Sequence, residues 1–156
     1  MAIVLVALLS PVVHLAQGRA SMSSPIIRTR ADGVSITANF NDFSAGKKYR
    51  IGIGTAEGSL AGATIELLKN NAPVPQQLTA FKQGYTSNWW NVNGITARGW
   101  VFDADDFAGG EVLTLKVNIP RAEIDKLKSL YIIVAKDYGS DLWYLEDGSE
   151  LTEKYW

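Results

Sequence analysis

Apolar and polar positions alternate one for one along much of this 156-residue chain, and a period of two is the mark of a strand with one buried face. Val34, Ile36, Ala38 and Phe40 are interleaved with Ser35, Thr37 and Asn39. Tyr49, Ile51 and Ile53 stand against Lys48, Arg50 and Gly52, and Leu113, Leu115, Val117 and Ile119 against Thr114, Lys116 and Asn118. Strands that bury one face and wet the other belong in antiparallel sheets. The unbroken apolar run from Leu130 to Ala135 predicts a central strand, and Leu142 to Leu145 a further short one.

Turn chemistry separates these segments. Asn41-Asp42 with Ser44-Ala45-Gly46, Gly58-Ser59, Asn70-Asn71 before Pro73, Asn93-Gly94, Gly109-Gly110, Tyr138-Gly139-Ser140-Asp141 and Asp147-Gly148-Ser149 all read as turns. Their spacing predicts an all-β fold, an antiparallel β-sandwich of about eight strands, immunoglobulin-like or jelly-roll-like. Pro120, followed by Ile124 and Leu127 among charged residues, predicts one short helical crossover over 121–129. An eight-stranded membrane barrel would need a lipid-facing band on strands of about ten residues. Thr152 and Lys154 occupy the same-face positions before Trp156, so the sandwich is the better fit.

The first residues depart from the alternation. Met1 to Leu9 is apolar, Ser10-Pro11 interrupts it, and Ala16-Gln17-Gly18 and Gly18-Arg19-Ala20 each place small residues where a signal peptidase reads. Residues 1–18 are therefore expected to be an export signal, cleaved after Gly18 or Ala20. Residues 19–156 are expected to be one sandwich domain that is secreted, periplasmic or held at the cell surface. No lysine or arginine precedes Arg19, a departure from the usual signal. A membrane span takes about 20 apolar residues, and Ser10, Pro11, His14 and Gln17 break the count, so no span is expected in the mature chain.

Composition then narrows the chemistry. His14 is the only histidine and would leave with the signal, and the chain has no cysteine. No serine-histidine triad, cysteine nucleophile or ordinary zinc site is expected, and no cofactor. With 15 basic and 16 acidic residues the chain lacks the basic excess of a nucleic-acid binder, so no nucleic acid is expected as a partner. Charge is segregated: residues 19–54 hold six basic groups against two acidic, and residues 137–156 six acidic against one basic. Two consequences compete. Either the first and last strands are neighbours in one molecule, or copies self-associate head to tail.

Thirteen of the sixteen aromatic residues fall after residue 80, including every tryptophan. Asn93-Gly94 is a strong hairpin signal, and a two-residue turn there sets Val92 opposite Ile95 and Asn91 opposite Thr96. One face of that hairpin would carry Trp90, Val92, Ile95 and Ala97 as core. The other would carry Trp89, Asn91, Arg98 and Trp100 as an aromatic surface with polar groups around it. Indole rings stack on sugar rings while a guanidinium and amides bond to hydroxyls. Trp89, Asn91, Arg98 and Trp100 are therefore the candidate ligand-binding residues of a non-catalytic binding module for carbohydrate or another cell-surface polymer. A protein-interaction or structural subunit of an extracellular assembly is the alternative. A small carboxylate-dependent hydrolase, using Asp103 with Glu111 or Asp106, is the third reading. Asp103, Asp105, Asp106 and Glu111 are also a weak calcium candidate, since calcium takes oxygen ligands, although Phe107 stands where a ligand would be needed.

Overall fold

A computed structural model describes residues 19–74, 91–92, 95–96, 98–139 and 143–156, with 91–92, 95–96 and 98 described by backbone pairing alone. The elements run β1 (Ser21–Met22), β2 (Ile26–Arg30), β3 (Gly33–Asn41), β4 (Tyr49–Thr55), β5 (Thr64–Lys69), β6 (Ala72–Pro73), β7 (Asn91–Val92), β8 (Ile95–Thr96), β9 (Arg98–Ala104), β10 (Leu113–Pro120), helix α1 (Arg121–Ile124), β11 (Ser129–Asp137) and β12 (Trp143–Thr152). One sheet has the order β1-β3-β10-β5-β6, with β2 also pairing with β3. The other has the order β12-β11-β4-β9, and β7 and β8 form a separate ribbon. Every pairing is antiparallel. The two sheets pack as a sandwich.

The order β2-β3-β10-β5 facing β4-β11-β12 matches strands A-B-E-D facing C-F-G of an immunoglobulin constant-type sandwich. Of the two sandwich types expected, the immunoglobulin-like order is the one found. The chain between the fourth and fifth of those strands is long, and its last part, β9, pairs with β4 and widens the second sheet.

The alternating segments place their apolar residues inward. Val34, Ile36, Ala38 and Phe40 meet Tyr49, Ile51, Ile53, Leu113, Leu115, Val117, Ile119, Leu130, Ile132 and Val134 in one core, each no more than 3% exposed. Burying one such side chain contributes roughly 1.5–3 kcal/mol, so the core carries the fold without a disulfide.

The short helical crossover is present as a single turn, Arg121–Ile124, leading into β11 at Ser129. Two expectations are corrected. Asp147-Gly148-Ser149 is no turn but lies inside β12, which continues to Thr152 past a register shift opposite Val134/Ala135. The second sheet is not wet on its outer face: Val101, Tyr131, Ile133 and Ala135 are buried there, with Trp143 and Leu145 packed against them.

The opposite charges of the two ends meet within one molecule. Arg19 Nε donates to Glu146 O at 3.0 Å, Met22 N to Asp147 Oδ2 at 2.7 Å, and Thr29 Oγ1 to Tyr155 O at 3.1 Å. Among the described residues no helix is long and apolar enough to cross a membrane.

Candidate functional site

The loop joining β3 to β4, the loop joining β9 to β10 and the end of β11 come together at one end of the sandwich. In the immunoglobulin arrangement this is the end where the B–C and F–G loops meet. Aromatic packing fixes it. The Phe43 and Phe107 rings stack at 4.5 Å, and each meets the Tyr49 ring edge-on, at 4.8 and 5.2 Å. Ser44 N donates to the Tyr49 hydroxyl at 2.8 Å, and Gly46 N to Phe107 O at 2.9 Å. Lys69 reaches across from β5: its ammonium donates to Asp105 O at 3.1 Å and Asp106 O at 2.9 Å and lies 4.8 Å from the Phe107 ring.

Glu111 closes the β9–β10 loop. Its carboxylate is buried at 8% exposure and accepts the N–H groups of Ala108 and Gly109. Burial pushes its pKa up, but those N–H bonds and the charge of Lys69 outweigh burial and hold it below its ordinary value of 4.5. A carboxylate lowered by folding stabilises the fold above its unfolded pKa, and the contribution is lost as pH falls through the lower folded value. Glu111→Gln is therefore expected to lower Tm by several degrees at neutral pH. The difference from the parent should shrink as pH falls below the ordinary value of 4.5, which melting curves across pH 3 to 7 would check.

On the outer side of the same end, the register of β4 with β9 sets Arg50 opposite Asp103. The Arg50 guanidinium donates to both Asp103 oxygens, at 2.7 and 3.4 Å, and lies 4.0 Å from the centroid of the Trp143 ring. Lys48, Arg50, Asp103, Ala104, Asp105, Asp137 and Trp143 line a cleft of about 210 Å³ here. The Trp143 indole N–H is buried, with no acceptor among the described residues. Away from the cleft lining, Tyr138 and Tyr144 stand 58% and 52% exposed, their rings edge-on at 5.2 Å. Tyr138 is held in place by donating to Glu146 Oε1 at 2.9 Å. One aromatic floor, two cationic groups and three carboxylates therefore line one small opening.

Of the residues expected to bind ligand, Trp100 is the one whose side chain the structure describes. Trp89 lies outside the described residues. Asn91 pairs with Thr96 and Val92 with Ile95, the register that Asn93-Gly94 predicts. Arg98 opens β9 opposite Thr55. Trp100 turns inward: it stands opposite Ile53, packs against the main core and donates its indole N–H to Leu60 O at 3.0 Å. Trp100 is therefore not part of an exposed aromatic surface; it belongs to the β4–β9 ladder, which is separate from β7–β8. The acidic residues 103–111 also diverge. Asp103 is bound to Arg50, Asp105 and Asp106 give their backbone oxygens to Lys69, and Glu111 serves its own loop. Among the described residues no three carboxylate or imidazole groups are arranged to hold a metal ion.

Lys48, Arg50, Asp137 and Trp143 were not singled out from sequence. Arg50 carried a signal as the polar position of an apolar strand, and Trp143 carried one through its neighbours Tyr138 and Tyr144.

No protein-family model and no curated protein matches the chain. Among solved structures the chain is similar to one described as "Complete structure of manganese lipoxygenase of Gaeumannomyces graminis and partial structure of zonadhesin of Komagataella pastoris", at 14% identity and a TM-score of 0.41. The match covers 88% of this chain and 46% of that one, so this chain spans about half its length. A likeness at that score carries no argument about activity.

Proposed function

We propose that this protein is an exported, non-catalytic binding module that recognises a carbohydrate of a cell surface through the cleft at Arg50 and Trp143. The observation that carries the reading is the composition of that cleft. Trp143, with the Arg50 guanidinium over its ring, forms the floor, Asp103 and Asp137 accept hydrogen bonds from hydroxyls, and Lys48 donates from the rim. At about 210 Å³ the opening is small beside the roughly 300–1,000 Å³ of a pocket for a drug-sized ligand. It suits one sugar ring or a chain end. An acidic or amino sugar would use the same charged groups. Association with a protein surface is the second reading, favoured by the exposure of both tyrosines at a loop end.

Binding to a panel of extracellular polysaccharides, followed by titration calorimetry on the best of them, tests the reading. Lys48→Ala is expected to weaken affinity by about three- to tenfold, the worth of one hydrogen bond from the cleft rim. Asp137→Asn is expected to weaken it comparably, with melting temperature unchanged in Lys48→Ala. Binding to no glycan, together with concentration-dependent association on sizing that Tyr144→Ala abolishes, would replace this reading with the second.

A further inference from the structure

We propose a second binding site, for a neutral saccharide, in the cleft that Ser23, Asn39, Asn41, Asn70, Asn71 and Thr114 line on the outer face of the first sheet. Its volume is about 500 Å³, and it shares no lining residue with the cleft at Arg50 on the second sheet. Strand register builds the floor. Asn39 and Asn41 alternate with the buried Ala38 and Phe40 on β3, and Thr114 of β10 stands directly opposite Asn39. Ser23, whose N–H bonds to Asn39 O at 3.0 Å, flanks β3 on one side. Asn70 and Asn71 flank β10 on the other, as the two-residue turn that joins β5 to β6. Their φ angles of 48° and 66° lie in the left-handed region that asparagine tolerates, so the turn is set by its own residues.

The lining chemistry selects the ligand class. It holds four amides and two hydroxyls and no charged side chain. Each amide offers two N–H donors and a carbonyl acceptor, and each hydroxyl both donates and accepts. Adjacent hydroxyls on a sugar ring need that mixture. A charged ligand would find no counter-charge in this lining, and an apolar one would find only Val112. The fold already holds two of the amides: Asn39 Oδ1 accepts from Thr114 Oγ1 at 2.8 Å, and Asn70 Oδ1 from Val112 N at 3.0 Å. With their carbonyls engaged, both keep their NH2 groups as donors, and their fixed position lowers the entropy lost on binding. Asn41 and Asn71 make no side-chain hydrogen bond among the described residues, so their amides serve no partner within the fold. The volume lies within the roughly 300–1,000 Å³ of small-molecule sites.

Neutral oligosaccharides of glucose, mannose and galactose, titrated into the protein by NMR and calorimetry, give the test. Amide shifts are expected at Asn39, Asn41, Asn70, Asn71 and Thr114, with affinity unchanged between low salt and about 1 M salt because no charge is engaged. Asn71→Gly removes an amide while keeping a residue that adopts positive φ, and Asn41→Ala removes a side chain that the fold leaves unbonded. Each is expected to weaken binding about three- to tenfold, the worth of one hydrogen bond, at unchanged melting temperature. Lys48→Ala should leave this binding as it is. No shift on these residues with any of the three sugars, or binding unchanged in both asparagine variants, would overturn the proposal. Neutral-sugar binding lost in Lys48→Ala but kept in the asparagine variants would also overturn it, in favour of the Arg50 cleft. Binding that survives Lys48→Ala, with no glycan shifting Arg50 or Trp143, would uphold this site and overturn the other.

Discussion

Gly99→Val is expected to cost more than about 3 kcal/mol, a large share of the roughly 5–15 kcal/mol that holds a domain of this size together. Gly99 sits in β9 opposite Gly54 of β4, and the ladder runs on either side of it without a register shift. A Cβ at Gly99 would lie 2.0 Å from Ile53 O and 2.6 Å from the Gly54 Cα. Both are backbone atoms, so no side chain can swing away to relieve the collision. The strands must separate, and with them go the pairings that hold Trp100 and Phe102 against the core and Asp103 against Arg50. Urea unfolding would report the loss, and Gly99→Ala should already show most of it. A Gly99→Val protein as stable as the parent would mean that β9 is not paired to β4 in this register.

Phe107→Ala is expected to cost about 3–5 kcal/mol, the range for removing a buried phenylalanine ring. Phe107 is 4% exposed and stacks on Phe43, meets Tyr49 and underlies the Lys69 ammonium, so one ring links the loops on both sides of the binding end. The loss should exceed one side chain's packing, because Gly46 N also bonds to the Phe107 carbonyl, whose position depends on the ring. Glycan affinity should fall with stability in this variant, even though Phe107 does not line the cleft. Phe107→Leu, which keeps most of the volume, is expected to recover more than half of the stability. Chemical denaturation of the two variants side by side checks both expectations.

The parts of the fold that were legible in the sequence are those where one face is buried and the other wet. In β3 and β10 every second residue from Val34 to Phe40 and from Leu113 to Ile119 is core, and period two reports that directly. It fails for β5, where the neighbouring residues Leu67 and Leu68 are both buried, and for β2, an edge strand with Arg28, Thr29 and Arg30 all exposed. It fails again in β12, where Asp147 and Gly148 look like a turn but lie past a bulge, and where a Cβ at position 148 would be 2.9 Å from Ile133 Cγ2. Charge segregation between the ends was legible, and one pair of those groups, Arg19 and Glu146, meets within the molecule. The cleft was not. Arg50, Asp103 and Trp143 come from three strands far apart in the chain, and only the registers of β4 with β9 and β11 with β12 bring them together. Trp100 shows the converse: local hairpin logic is sound up to Thr96 but says nothing of the ladder that β9 joins.

Ligand taken at the loop end that carries Arg50 and Trp143 has a direct spectroscopic signature. Backbone amide and indole NMR shifts, recorded while a soluble fragment of the best-binding polysaccharide is titrated in, locate the contact directly. The shifts are expected to cluster on Lys48, Arg50, Asp103, Asp137 and the Trp143 indole N–H, and to saturate together. Shifts confined to the opposite end, around Asp32, Gly58 and Lys126, would contradict it.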